Sequence, residues 1–155
     1  MPLPPSACDR AQVMNDAALT TILEEAKTIA ILGLHDDPAK AARYVPEYLA
    51  KQGYTVLGVN PKLAGQLRFG AAVAASVTAL DQPVDVLDIF RATPAAHLDE
   101  ILAMTPLPRV VWLQLGIRDD GFAEALRAAG ITVVQNRCTL ADHRRLGIAA
   151  KSAAP

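Results

Sequence analysis

Cysteine is scarce in this 155-residue chain: Cys8 and Cys138 are its only two, too few for a disulfide framework. Charge of either sign in excess is missing too. The formal net charge is −1, which excludes the basic footprint of a nucleic-acid binder. Aromatic residues make up only 5% of the chain. No uninterrupted apolar stretch reaches the ~18 residues a membrane span needs. The start, MPLPPSACDR, has no basic segment followed by an apolar one, so no secretory leader is expected. Neither a G-x-S-x-G elbow nor a P-loop occurs. No Cys/His cluster offers zinc its roughly four ligands, and His143 lies five residues from Cys138, a poor separation for one helix face. These absences point to a reduced, cytoplasmic protein with no metal centre.

What is present is apolar and alternating. Hydrophobic residues make up 52% of the chain, enough for the core of one domain. The domain is expected over residues 15–146, with poorly ordered tails at 1–14 and 147–155. Asn15 or Asp16 caps a helix that carries Leu19, Ile22 and Leu23 on one face. TIAILG, YTVLGVN, VDVLDIF, RVVWLQLG and ITVVQN read as five main strands. A helix ending near Gln52, with Gly53 after it, follows the first. Thr93-Pro94 opens a helix after the third. Asp119 or Asp120 caps one after the fourth, and TLADHRRL forms a last one. Residues 62–75 are ambiguous and include at most a short edge strand. Val/Ile/Leu-rich strands alternating with helices imply an α/β fold: a doubly wound, mainly parallel, Rossmann-like sheet with helices on both faces. Such sheets bind ligands outside the carboxyl ends of their strands. The residues to inspect are therefore Gly33-Leu34-His35, Asn60-Pro61-Lys62, Phe90-Arg91, Gln114 to Ile117, and Asn136-Arg137-Cys138.

The first of these turns lacks the glycine comb G-x-G-x-x-G of a dinucleotide site, since only Gly33 is present. Pro46 constrains the helix that follows. In a helix begun at Pro38 it would remove an interior hydrogen bond at a cost of roughly 3 kcal/mol. A start near Arg43 instead puts Pro46 in the first turn and leaves a long loop whose free amides suit an anion. After the second strand stands Val59-Asn60-Pro61-Lys62, with no carboxylate to hold the ribose hydroxyls of NAD. Lys62 there favours a phosphorylated ribose. Two ligands carry one, NADP and coenzyme A (CoA), and residue types alone do not separate them.

The segments IAILGLHDDPAKAARYVPEYLAKQGYTVLGVNPK, PVDVLDIFR, VVWLQLGI and NRC stand in order over most of residues 15–146. Together they resemble the small stand-alone CoA-binding domain proteins of bacteria and, more distantly, the CoA-binding half of the succinyl-CoA synthetase alpha subunit. The resemblance implies CoA, free or acylated, lying across the strand ends. By position it places a phosphate turn on Gly33, Leu34 and His35. It places a basic loop on Asn60, Pro61 and Lys62, and a nucleotide-covering segment on Phe90 and Arg91. Gln114, Gly116, Ile117 and Cys138 then border the pantetheine end. The synthetase's phosphohistidine domain has no counterpart here, so no catalytic residue is carried over. The expectation is a CoA-binding module without a reaction of its own. An NADP-dependent oxidoreductase-like module and a regulatory protein-binding subunit are the rivals.

Other residues bear on this reading. Cys138 is either a packed small side chain or a thiol that forms a mixed disulfide with CoA. His35, as an imidazolium, could pair with an anion at the turn, and is otherwise an exposed loop histidine. Asp85 stands at the entrance of the third main strand and has a structural role. Asp88 lies nearer the ligand edge and is assigned no role. Trp112 reads as core.

Overall fold

The computed structural model describes residues 14–151. Asn15 caps helix α1 (Asp16–Glu25): its Oδ1 accepts the Ala18 N–H at 2.9 Å. Strand β1 (Thr28–Leu32) follows, then α2 (Ala41–Lys51) and β2 (Thr55–Val59). The ambiguous region forms a minimal antiparallel hairpin, β3 (Leu67–Arg68) and β4 (Ala71–Ala72), turning through Phe69 and Gly70. A 3₁₀ turn (Val77–Ala79) leads to β5 (Val86–Ile89). The helix expected from Pro94 begins as a 3₁₀ turn (Pro94–His97) and continues as α3 (Leu98–Leu102). Strand β6 (Val110–Leu113), α4 (Asp120–Ala128), β7 (Thr132–Val134) and α5 (Thr139–Arg145) complete the chain.

The five main strands form one parallel sheet in the order β2-β1-β5-β6-β7. Alternate side chains enter two cores, as period-2 geometry requires. Ile29, Ile31, Val56, Val86, Trp112 and Val134 face α1, α2 and α5. Ala30, Leu32, Leu87, Ile89, Val111 and Leu113 face the 3₁₀ turn at Val77, α3 and α4. Asp85 has the structural role expected of it: its Oδ2 accepts the N–H groups of Lys27 and Thr28, which pins the start of β1. Trp112 is fully buried, as expected.

From β1 the chain steps outward to β2 and then crosses back past β1 to reach β5. The crossover directions therefore reverse between β1 and β5, and a crevice opens at their carboxyl ends.

Two expectations need correction. Helix α2 starts at Ala41, two residues earlier than expected, and Pro46 lies inside it. Pro46 has no N–H to give to the Ala42 carbonyl. The amide of His35 takes that acceptor instead, at 3.3 Å. The second correction concerns residues 147–151, expected as part of a tail. They pack against the body. Ile148 is buried, and the Lys151 amide donates to the Gln52 carbonyl at 2.7 Å. The rest of the expected tails, residues 1–13 and 152–155, and with them Cys8, lie outside the described residues.

Candidate functional site at the carboxyl edge of the sheet

The turn after β1 is less free than its sequence suggests. The Gly33 amide donates to the Val59 carbonyl at 2.9 Å, extending the β1–β2 ladder. The His35 amide is held by Ala42. The Leu34 side chain is fully buried beside Gly58, where any Cβ would collide with Leu34 Cδ2. His35 Nδ1 accepts the Asp37 N–H at 2.9 Å. An imidazole that accepts at Nδ1 carries its proton on Nε2, and that exposed donor bonds to no described residue. Of the three expected turn residues, only the Leu34 amide has no hydrogen-bond partner among the described residues. The same holds for the Ala41 and Ala42 amides at the start of α2.

The positive charge comes from arginines instead. Arg91, just past β5, lies flat across Gly33: a Cβ built there would be 3.1 Å from Arg91 Nε and 3.2 Å from its Cδ. Gly33 also has φ +96°, the conformation that favours glycine, and a Cβ there would make the Arg91 side chain give way by a few tenths of an ångström. Arg91 Nε is buried and unpartnered. Nor does any other Arg91 atom make a side-chain hydrogen bond or ion pair to a described residue. Arg43, on the first turn of α2, packs over the Phe69 ring at 5.4 Å, and its Nε too is buried without a partner. Asp36 links this group together. Its carboxylate takes both Nε and Nη2 of Arg68 at 2.8 Å and Nη1 of Arg43 at 3.4 Å. The Arg68 hydrogen bonds hold the Asp36 carboxyl below its usual range. That pair clasps the β3–β4 hairpin to the turn after β1. The sequence pattern did not single out Arg43, Arg68 or Asp36. What brings Arg68 back toward the sheet edge is the tight turn at Phe69-Gly70, both at positive φ, of which the sequence shows only the glycine.

After β2, Asn60 is a strut. Its Nδ2 donates to the Leu34 carbonyl at 2.8 Å, and its Oδ1 accepts the Lys62 amide at 2.9 Å. With both ends of its carboxamide so engaged, Asn60 shapes the site from beneath. Pro61 and Lys62 are exposed, and the Lys62 ammonium has no partner among the described residues. Phe90 is half-buried against the α1/α2/α5 core.

On the far side of the crevice, Gln114 to Ile117 form a turn. The Ile117 amide donates to the Gln114 carbonyl at 2.9 Å, and Gly116 sits at φ +89°. The neighbouring loop braces it, since Asn136 Oδ1 accepts the Gly116 amide at 2.7 Å. Leu115 projects at 70% exposure. The Arg137 guanidinium grips Asp142 through two bonds of 2.7 and 2.8 Å. Cys138 is half-buried at the N-cap of α5. Below the turn, Asp88 is fully buried, and burial pushes its carboxyl well above the usual range despite a hydrogen bond with Thr139. The remaining histidines are spent on structure. His143 pairs with the Tyr48 hydroxyl at 2.8 Å, and His97 with Glu100 at 2.7 Å. No group of His, Cys, Asp or Glu among the described residues could hold a metal ion. No described helix is long and apolar enough to cross a membrane.

The switch point therefore carries two guanidiniums, those of Arg91 and Arg43, whose Nε donors are buried and unmatched by any described residue. Residues 27–144 match the model of the CoA-binding domain. The chain belongs to the CoA-binding domain family. It is 51% identical to the cell-free ID.343 protein of Thermus thermophilus, whose structure superposes with a TM-score of 0.81 over 86% of this chain and 99% of that one. A hypothetical protein from Pyrococcus horikoshii OT3 is 27% identical, with a TM-score of 0.78 over 94% and 98% of the two chains. The uncharacterized protein YneT of Bacillus subtilis (strain 168) is 29% identical over 82% of this chain and 93% of its own. Family membership supports a role in binding CoA.

Proposed function

We propose that this chain is a CoA-binding module that recognises the 3′-phospho-ADP portion of CoA at the carboxyl edge of the sheet and performs no reaction of its own. The observation that carries this reading is Arg91, lying across Gly33 at the β1/β5 switch point with its buried Nε unmatched. A buried guanidinium donor without an acceptor is costly, and a phosphate oxygen removes that cost. Arg91 and the amides of Leu34, Ala41 and Ala42 receive the pyrophosphate. Lys62, exposed and unpaired, receives the 3′-phosphate. Phe90 walls an adenine slot. The pantetheine arm runs toward Gln114, Gly116, Ile117 and Cys138, a route that admits free or acylated CoA.

Calorimetry with CoA, dephospho-CoA and NADP tests this assignment. CoA should bind best. Lys62→Ala should weaken CoA ~tenfold, the scale of one hydrogen bond to a charged group, while leaving dephospho-CoA unchanged. Equal losses on both CoA forms would remove Lys62 from the 3′-phosphate. NADP binding tighter than CoA would overturn the ligand assignment.

A further inference from the structure

The hydrogen bonds around Thr139 cannot all be made if Asp88 is ionised. Thr139 opens α5, and its backbone nitrogen lies 3.1 Å from Gln114 Oε1. A backbone N–H only donates, so the inward atom of the Gln114 carboxamide is its oxygen. The Thr139 hydroxyl meets that same oxygen at 3.1 Å and Asp88 Oδ2 at 2.9 Å. It has one hydrogen for two acceptors. A proton on Asp88 resolves the conflict. The carboxyl O–H then donates to Thr139 Oγ1, and the Thr139 O–H donates to Gln114 Oε1.

The surroundings agree. Asp88 is fully buried, and its register neighbours across the sheet are Ile31 and Trp112. No cation among the described residues pairs with it. Its other oxygen, Oδ1, is buried without a partner, which a neutral carbonyl tolerates far better than a carboxylate does. The chain of bonds has a direction, and it ends at the crevice. Gln114 is 4% exposed overall, yet its Nε2 is not among the buried unpartnered atoms and bonds to no described residue. Among the described residues it is therefore not a buried donor without a partner, which leaves it open to a ligand.

We infer that Asp88 is a positioning residue, a neutral acid that orders Asp88–Thr139–Gln114 so that the Gln114 carboxamide turns its N–H groups into the crevice as a donor site for a carbonyl oxygen of the ligand's arm. This rests on the CoA reading above and adds a selective element to it. CoA offers such an oxygen in the amides of pantetheine, and acylated CoA offers one more in its thioester. The inward half of Gln114 is saturated by two donors, so its outward half cannot flip to become an acceptor. The site rewards a carbonyl and leaves a hydroxyl or amine hydrogen without a partner.

The test titrates wild type, Gln114→Met, Thr139→Val and Asp88→Asn with CoA, acetyl-CoA and adenosine 3′,5′-bisphosphate, which has no arm. Gln114→Met should lose ~tenfold in affinity for the armed ligands, the value of one buried hydrogen bond, and keep its affinity for the bisphosphate. Equal losses on CoA and acetyl-CoA assign the oxygen to a pantetheine amide, and a loss confined to acetyl-CoA assigns it to the thioester. Thr139→Val should weaken the same ligands. Asp88→Asn keeps a donor toward Thr139 and should retain the wild-type pattern. Infrared difference spectra at neutral pH, wild type minus Asp88→Asn, should show the C=O stretch of a protonated carboxyl, a readout independent of binding. A carboxylate band in its place, or a Gln114→Met variant that binds all three ligands as wild type does, overturns the inference and leaves the CoA reading standing. Wild type that binds none of the three overturns the parent reading, while the infrared band still decides the state of Asp88.

Discussion

Arg91 and Gly33 constrain one another, and neither reads correctly alone. In the sequence, Gly33 belongs to an expected phosphate turn and Arg91 to an expected nucleotide-covering segment, with nothing to show that the two touch. In the fold the arginine covers the glycine, and a side chain at Gly33 would displace it. Asp88 is a similar case. Its place in an apolar strand was visible, but its protonation depends on Thr139, fifty-one residues away, and on Gln114. The pH consequence has a definite sign. A carboxyl whose folded pKa is raised stays protonated in the native state while the unfolded chain ionises near ~3.9. Stability therefore falls as pH rises from there toward the folded value, with a slope of up to ~1.4 kcal/mol per pH unit. Asp88→Asn has no such loss. It should be more stable than wild type at neutral pH, with the difference closing below about pH 4, as urea unfolding at a series of pH values would show. A constant difference across that range would contradict a buried neutral acid.

At the scale of elements, proline and glycine decided local geometry by routes that spacing alone did not reveal. Penalising Pro46 inside a helix was sound reasoning, and it led to a start two residues late. The fold accepts the penalty because the stranded Ala42 carbonyl finds the His35 amide. That same bond removes one of the amides expected to hold an anion. Gly58 looks unfavourable in a buried strand, yet it makes room for Leu34, which folds back from the turn. Gly58→Ala should cost about 1–3 kcal/mol, the usual range for overpacking, because the new methyl displaces Leu34. It should also weaken CoA binding by moving the Leu34 carbonyl away from Asn60. Chemical denaturation and calorimetry on the one variant check both effects. A destabilised protein with unchanged affinity would separate the turn's packing from its ligand geometry.

For the molecule as a whole, the strand order β2-β1-β5-β6-β7 locates the crevice, and residues 147–151 run from the end of α5 back to Gln52 at the end of α2. Residues 147–151 read as tail because GIAAK has no amphipathic period. Ile148 is nonetheless 8% exposed, Lys151 Nζ donates to the Glu24 carbonyl, and the ammonium lies 5.0 Å from the Tyr54 ring centroid. Ile148→Ala should therefore cost about 2 kcal/mol or more, the lower end for a core isoleucine, read as a lower urea midpoint at constant slope. A true tail would show no change.

The sequence by itself determined the fold class and the strand-helix alternation, and it narrowed the caps to Asn15 or Asp16 and to Asp119 or Asp120, of which the structure uses Asn15 and Asp119. Each of these follows from short-range periodicity or from one residue's backbone chemistry. Only the tertiary structure decided which polar groups are already spent. Asn60, His35 and Arg137 are committed to internal partners, whereas Arg91, Arg43 and Lys62 keep donors unmatched by any described residue. The physical reason is that a hydrogen bond is satisfied by proximity in space. Asn60 reaches the Leu34 carbonyl across two loops of the same sheet edge, whereas His35 and Arg137 take partners two and five residues along the chain in a geometry that the folded loops fix.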